Sequence, residues 1–168
     1  MQNIRIVNLP EMKAVYSGPL TDGEKFEKFN NWFSEYHASL TTELYPRDFM
    51  WYNERIGAQE WFYALPAGAK EEDCGGFEIV DLPSGLFAVA SCMDADFDQA
   101  ADWLNTREEL LKWAAESDKF KAYENGEGKK ERYPMFHIVS PGELYGKKRS
   151  IEDLYLPIER KYEETVNR

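Results

Sequence analysis

The sequence predicts a mixed helix-and-strand fold made of two copies of one β-α-β-β module, related by a pseudo-twofold axis with a seam between them. Three observations lead there. Ile6-Val7-Asn8-Leu9-Pro10 returns, loosened, as Ile79-Val80-Asp81-Leu82-Pro83, and Ala14-Val15 returns as Ala88-Val89, one copy carrying an extra residue at the turn. Ala64-Leu65-Pro66 closes the first half much as Tyr155-Leu156-Pro157 closes the second. The order of predicted elements also repeats. At 168 residues the chain matches one composite domain with a real core. Its expected parts are module one over about 1–66, a linker over 67–76, module two over about 77–158 and a charged tail over 159–168.

Residues 3 to 9 and 12 to 18 read as a strand pair around a Pro10-Glu11 turn, since Ile4, Ile6, Val7 and Val15 are β-branched. Thr21-Asp22-Gly23-Glu24 has the form of a capping box and predicts a helix start. Phe26, Phe29, Phe33, Tyr36 and Leu40 then recur at helical spacing and give that helix one aromatic stripe. Arg47–Glu54 and Gln59–Leu65 are extended aromatic runs joined by a turn at Gly57. The tract from Pro66 to Gly76 is rich in glycine and charge and reads as the linker.

Beyond it the order returns: a strand at Phe77–Asp81, a Leu-Pro turn, a strand at Leu86–Cys92, and a helix entered through Asp94 or Asp96. Phe97, Ala100, Ala101 and Leu104 supply its apolar side, with Leu110, Leu111 and Ala114 packed inward. Thr106-Arg107-Glu108-Glu109 is a second capping-box form, so this helix either restarts after Asn105 or runs on, kinked, to Glu116. Residues 124–132 are polar and Gly-bearing and read as a hairpin loop or an excursion, and Tyr133–Val139 and Ile151–Ile158 are the closing strands.

Composition narrows function by exclusion. The 31 acidic and 20 basic residues leave a net charge of −11, which repels a phosphate backbone, so direct nucleic-acid binding is not expected. The basic run Lys147-Lys148-Arg149 is short, is followed by Glu152 and Asp153, and reads as a solvated loop. Cys74 and Cys92 lack motif spacing, and the N-terminal stretch, broken by Arg5, Glu11 and Lys13, does not resemble a signal peptide. No segment is long enough for a transmembrane helix, so a reducing cytoplasm is the expected location. There is no Gly-rich phosphate loop, no HExxH and no GxSxG elbow, and His37 and His137 are too few for a histidine-rich metal site. No cofactor, metal or catalytic set is expected. Aromatic residues, at 15%, exceed what a core of this size needs, and surplus aromatics can line pockets.

The strand pair Phe77–Val89, with Phe77-Glu78-Ile79-Val80-Asp81-Leu82-Pro83 at its centre, resembles the GyrI-like family. So do Ala114-Ala115-Glu116-Ser117 after Trp113 and the closing strand Asp153–Ile158. That family includes effector-binding domains of AraC-type and MerR-type transcription regulators, and the resemblance runs from about Ile4 to Ile158. It implies an α+β domain with an antiparallel sheet, two long helices and an aromatic ligand cleft at the module junction. It further implies multidrug-type sensing of a small hydrophobic or cationic organic molecule, with any DNA-binding domain or partner protein elsewhere. In the family an acid in the pattern E-x-Y-x-P faces lipophilic cations. Asp153 holds that position here, one methylene shorter, with Tyr155 and Pro157 in register. Glu152 serves only if the register slips by one.

Strand alternation checks this assignment independently. Leu154, Leu156 and Ile158 suit a helix-covered face, which leaves Asp153 and Tyr155 on the other. The equivalent first-half positions are Phe62 and Ala64, and the partner strand offers either Met50 and Tyr52 or Phe49 and Trp51. His137 and Trp113 are further candidates for the border of the cleft, although Trp113 reads first as a core residue. Two alternative functions follow from the same resemblance: hydrolysis of electrophilic cyclopropanoid compounds, and a gyrase-inhibitor-like protein-binding role.

Overall fold

The computed structural model describes residues 3–40, 47–95, 100–139 and 149–161. Strands β1 (Arg5–Leu9) and β2 (Lys13–Leu20) precede helix α1 (Gly23–Ser39), and β3 (Asp48–Asn53) and β4 (Ala58–Ala64) complete the first half. A 3-10 turn at Glu71–Cys74 leads to β5 (Glu78–Asp81), β6 (Gly85–Ala95) and helix α2 (Ala100–Glu116). The short β7 (Phe120–Ala122), β8 (Met135–Ile138) and β9 (Arg149–Arg160) follow. The result is an α+β fold with one large antiparallel sheet in the order β1-β6-β9-β8-β3-β4-β2-β5, and β7 paired to the end of β9. Taken from its two ends inward, that order matches β1 with β5, β6 with β2, β9 with β4 and β8 with β3. Each pair occupies the same place in its own half, which is a pseudo-twofold arrangement.

The expected hairpins do not form. β1 lies against β6, with Leu9 opposite Gly85, and β5 lies against β2, with Asp81 opposite Lys13. Each half thus gives its first strand to the edge of the other. Tight two-residue hairpins need a residue at positive φ, and Leu9-Pro10-Glu11 supplies none. Proline instead favours extended backbone before it, so the chain runs on rather than doubling back.

Both helices cover one face of the sheet. Asp22 caps α1, its carboxylate accepting the Lys25 N–H at 2.9 Å, one residue later than the Thr21 capping box predicts. Phe29, with no exposed surface, presses onto Val15, Met50, Trp61, Tyr63 and Cys74. His37 is a packing residue, its Nδ1 lying 3.2 Å from the Tyr63 hydroxyl.

Helix α2 runs unbroken through Asn105 and Thr106, so no second cap exists there. Asp94 belongs to β6 rather than to the helix entry. Leu110 and Ala114 pack on Ala88, Ala90, Leu154, Leu156 and Ile158, while Leu104 and Leu111, expected inward, are partly exposed because they sit one position off the buried stripe. Full burial of leucine or isoleucine contributes roughly 1.5–3 kcal/mol per side chain, so this layer anchors β9. Asp96, Phe97, Lys147, Lys148 and the tail from 162 lie outside the described residues.

The opposite face carries a third cluster that includes Phe49, Trp51, Phe62, Phe87, Met135 and Tyr155. That resolves the parity of β3: Phe49 and Trp51 face away from the helices, and Met50 lies beneath α1. No helix among the described residues is long and apolar enough to cross a membrane.

Candidate functional site

The helix-free face holds a cavity of about 640 Å³, walled by β2, β3 and β4 of the first half and by residues 80–84, Tyr123 and residues 130–132 of the second. Its floor is built by strand alternation. On β4, Trp61 and Tyr63 point under α1, so Glu60 and Phe62 point into the cavity. Trp51 stands directly opposite Glu60 on β3. Tyr16 on β2 stacks on Phe62 with ring centroids 5.1 Å apart, and the Trp51 ring meets Phe62 and Tyr133 edge-on at the same separation. A bulge between Tyr16 and Pro19 adjusts the β2–β4 register here. Gly18 takes a φ of 70° within it, and the Ser17 hydroxyl accepts the Trp61 N–H at 2.9 Å.

Glu60 is the buried acid among those that line this cavity, and it is 5% exposed. The Tyr16 hydroxyl donates to Oε1, and Oε2 accepts Trp51 Nε1–H at 2.5 Å and an Asn53 Nδ2–H at 2.8 Å. All three donors are neutral, and no lysine or arginine among the described residues lies within ion-pair distance. Burial, then the hydrogen bond and charge of Glu60, push the Tyr16 pKa above the ordinary tyrosine value and keep the phenol a donor.

Asp153, the acid singled out from sequence, occupies a different environment. It is 6% exposed, and its Oδ1 lies 2.7 Å from Arg5 Nη2 and accepts the Ser91 hydroxyl at 2.5 Å. Its charge is therefore neutralised within the protein, and it does not line the cavity. Tyr155 is on the helix-free face as expected, buried edge-on to Phe49 and Phe87. Burial, then the charge of Asp153, raises its pKa.

His137 lies on the same face beside Phe49, with Nδ1 2.7 Å from the Asp48 carbonyl oxygen and 3.6 Å from a carboxylate oxygen of that residue. Burial disfavours its charged form, but the hydrogen bonding and charge of Asp48 outweigh that and raise the pKa. Trp51 and Phe62 thus line the cavity, whereas Asp153, Tyr155 and His137 share its face without reaching it.

Three sequence candidates lie elsewhere. Met50 is held under α1, Tyr52 is exposed, and Trp113 stacks on Phe120 on the helix side. Period-2 alternation separates Met50 from Trp51, and Trp113 belongs to the helix-covered face by helical spacing. Glu60, Tyr16 and Asn53 went unselected. The signal for Glu60 was present, because continuing two residues back from Phe62 on the same strand face reaches a carboxylate between apolar neighbours. Among the described residues, no group of three His, Cys, Asp or Glu side chains could hold a metal ion.

No family model and no curated protein matches the chain. Solved structures do share its fold. A hydrolase from Listeria innocua is 14% identical over 94% of this chain and 92% of its own, with a TM-score of 0.61. The C-terminal domain of EcmrR is 9% identical, covers 96% and 99% of the two chains and gives a TM-score of 0.59. SAV2435 bound to tetraphenylphosphonium is 12% identical over 94% of each chain, with a TM-score of 0.51. At these identities the likeness is one of fold, and it extends over nearly the whole chain.

Proposed function

We propose that this chain is a small-molecule-binding domain of the GyrI-like, effector-binding kind. Its cavity takes hydrophobic organic molecules, cations among them, with Glu60 as the recognising acid. The observation that carries this reading is a buried carboxylate, with no lysine or arginine of the described residues within ion-pair distance, set among Tyr16, Trp51 and Phe62 in an open cavity. Aromatic faces stabilise a cation by about 0.5–2 kcal/mol each, more as water leaves. A carboxylate already out of bulk water adds charge complementarity that its neutral donors cannot supply. Flat apolar walls impose little shape selection, which suits a binder of varied molecules. The fold shared with SAV2435, solved with a lipophilic cation bound, and with the EcmrR C-terminal domain supports the same reading.

Titration with tetraphenylphosphonium tests it, read by tryptophan fluorescence and calorimetry. Saturable binding is expected, and Glu60→Gln should weaken it at least about tenfold, the scale of losing one partner of a desolvated charge pair. A titration without saturation overturns the reading. Hydrolysis, the alternative favoured by the Tyr16–Glu60 hydrogen bond at the cavity wall, would leave a cyclopropanoid ligand chemically changed. Mass spectrometry of such a ligand recovered from the same protein separates the two roles.

A further inference from the structure

We propose that the ligand of this cavity is dipolar: besides a hydrophobic cationic body lying against Glu60, it carries a carboxylate-like anionic group that docks on Arg132. The inference rests on the binding role proposed above and narrows its ligand class.

Six charged side chains line the cavity: Arg55, Glu60, Asp81, Lys130, Glu131 and Arg132. Three of these, Arg55, Glu131 and Asp81, are paired with an opposite charge, whereas Glu60 has only neutral donors. Arg55 and Glu131 neutralise each other at 2.6 Å, Asp81 is paired with Lys13 at 2.7 Å, and Glu60 is held by its neutral donors. Lys130 reaches Glu11 only loosely, at 3.9 Å, between two exposed side chains. Arg132 has no carboxylate within ion-pair distance among the described residues. After internal pairing the walls therefore retain one acid, Glu60, on the sheet, and two cations, Arg132 and Lys130, on the loop side.

Arg132 is also fixed in place. Its Nη2 donates to the Leu86 carbonyl at 2.5 Å, and its guanidinium carbon lies 4.6 Å from the ring centroids of both Phe87 and Tyr123. Gly85, at a φ of 115°, makes room for it: a Cβ there would come within 3.3 Å of the guanidinium atoms. Its buried Nε has no hydrogen-bond partner, and burial lowers its pKa below the ordinary guanidinium value. A guanidinium held rigid, partly desolvated and without a counter-ion is matched by a carboxylate, which it can bind through two parallel N–H donors. A purely cationic ligand would meet repulsion from Arg132 and Lys130, and a purely anionic one would meet it from Glu60. A zwitterion meets neither.

The test compares butyltriphenylphosphonium with carboxybutyl-triphenylphosphonium, and the latter with its methyl ester, on the full chain. The free acid should bind about tenfold more tightly than either uncharged-tail probe, the range of a charge-assisted hydrogen bond. In Arg132→Gln that ratio should fall toward one, and Arg132→Lys should restore part of it. The ester comparison uses wild-type protein alone and so does not depend on either variant folding. Equal or weaker binding of the free acid by wild-type protein overturns the dipolar assignment while leaving the Glu60 cavity intact. Failure of all three probes to bind overturns the binding role itself, and this inference with it.

Discussion

Glu60 and Asp153 are buried acids on the same face of the sheet, on β4 and β9, strands that hold equivalent places in the two halves. Their surroundings differ. Glu60 is ringed by a phenol, an indole and an amide, all neutral, at the floor of an open cavity. Asp153 is ion-paired with Arg5, a side chain brought to it by the strand that the first half gives to the edge of the second. The strand exchange that makes the sheet nearly symmetric therefore closes one acid and leaves the other available. Symmetry of backbone does not carry symmetry of charge, and a binding wall needs an acid whose charge is unmatched.

The comparison breaks most visibly on removal of each carboxylate. Glu60→Ala strands three donors, two of them on the buried Trp51 and Asn53, and should cost about 2–3 kcal/mol in urea denaturation. Asp153→Ala releases a half-exposed arginine into water and should cost about 1 kcal/mol. In the first variant the Tyr16 pKa should also fall back toward that of an ordinary buried tyrosine, visible in the ultraviolet titration of the phenol. Equal costs would mean that the two acids do the same structural job.

Of this contrast, the face that Asp153 occupies was legible in the chain. The alternation of Leu154, Leu156 and Ile158 against Asp153 and Tyr155 separated the faces of β9, because one face is aliphatic and the other is not. In β3 the same method stalled, since Phe49, Met50, Trp51 and Tyr52 put large apolar groups on both faces and erase the period of two. The exchange of β1 and β5 could not be read locally. Pairing of Arg5 with Val89 is a long-range choice, and the β-branched residues on either side of Pro10-Glu11 read locally as a hairpin that does not form. Arg5 therefore could not be matched to Asp153. Glu60 is hidden for a different reason: the Leu65-Pro66/Leu156-Pro157 equivalence sets Phe62 against Asp153, and the carboxylate lies two residues back on that face.

A smaller effect should appear in the pH dependence of stability beside Asp153. His137 faces Asp48 through its carbonyl and carboxylate, Asp153 across the β8–β9 ladder, and the Phe49 ring. Burial works against its charge, the contacts with Asp48 favour it, and the folded pKa ends above the unfolded value of about 6.5. The folded chain thus holds this proton more tightly than the unfolded one. The resulting stabilisation is complete below about pH 6.5 and is lost as the pH rises through the folded value. Melting temperatures across that window should fall for the wild type relative to His137→Gln. Parallel curves would mean that His137 contributes packing alone.

The smallest expected change sharpens the comparison most. Arg5→Ala removes the half-exposed partner of a buried carboxylate, which keeps the Ser91 hydroxyl as its donor. Because Arg5 lies off the Glu60 cavity, tetraphenylphosphonium affinity should stay at its wild-type value, measured by calorimetry on both proteins. Tighter binding, or a second bound cation, would show that Asp153 becomes a competent acid once its arginine is gone. The two walls would then differ by the presence of one side chain rather than by the architecture around them. Unchanged affinity and stoichiometry would place the difference in what Glu60 has and Asp153 lacks: an open cavity and an aromatic floor.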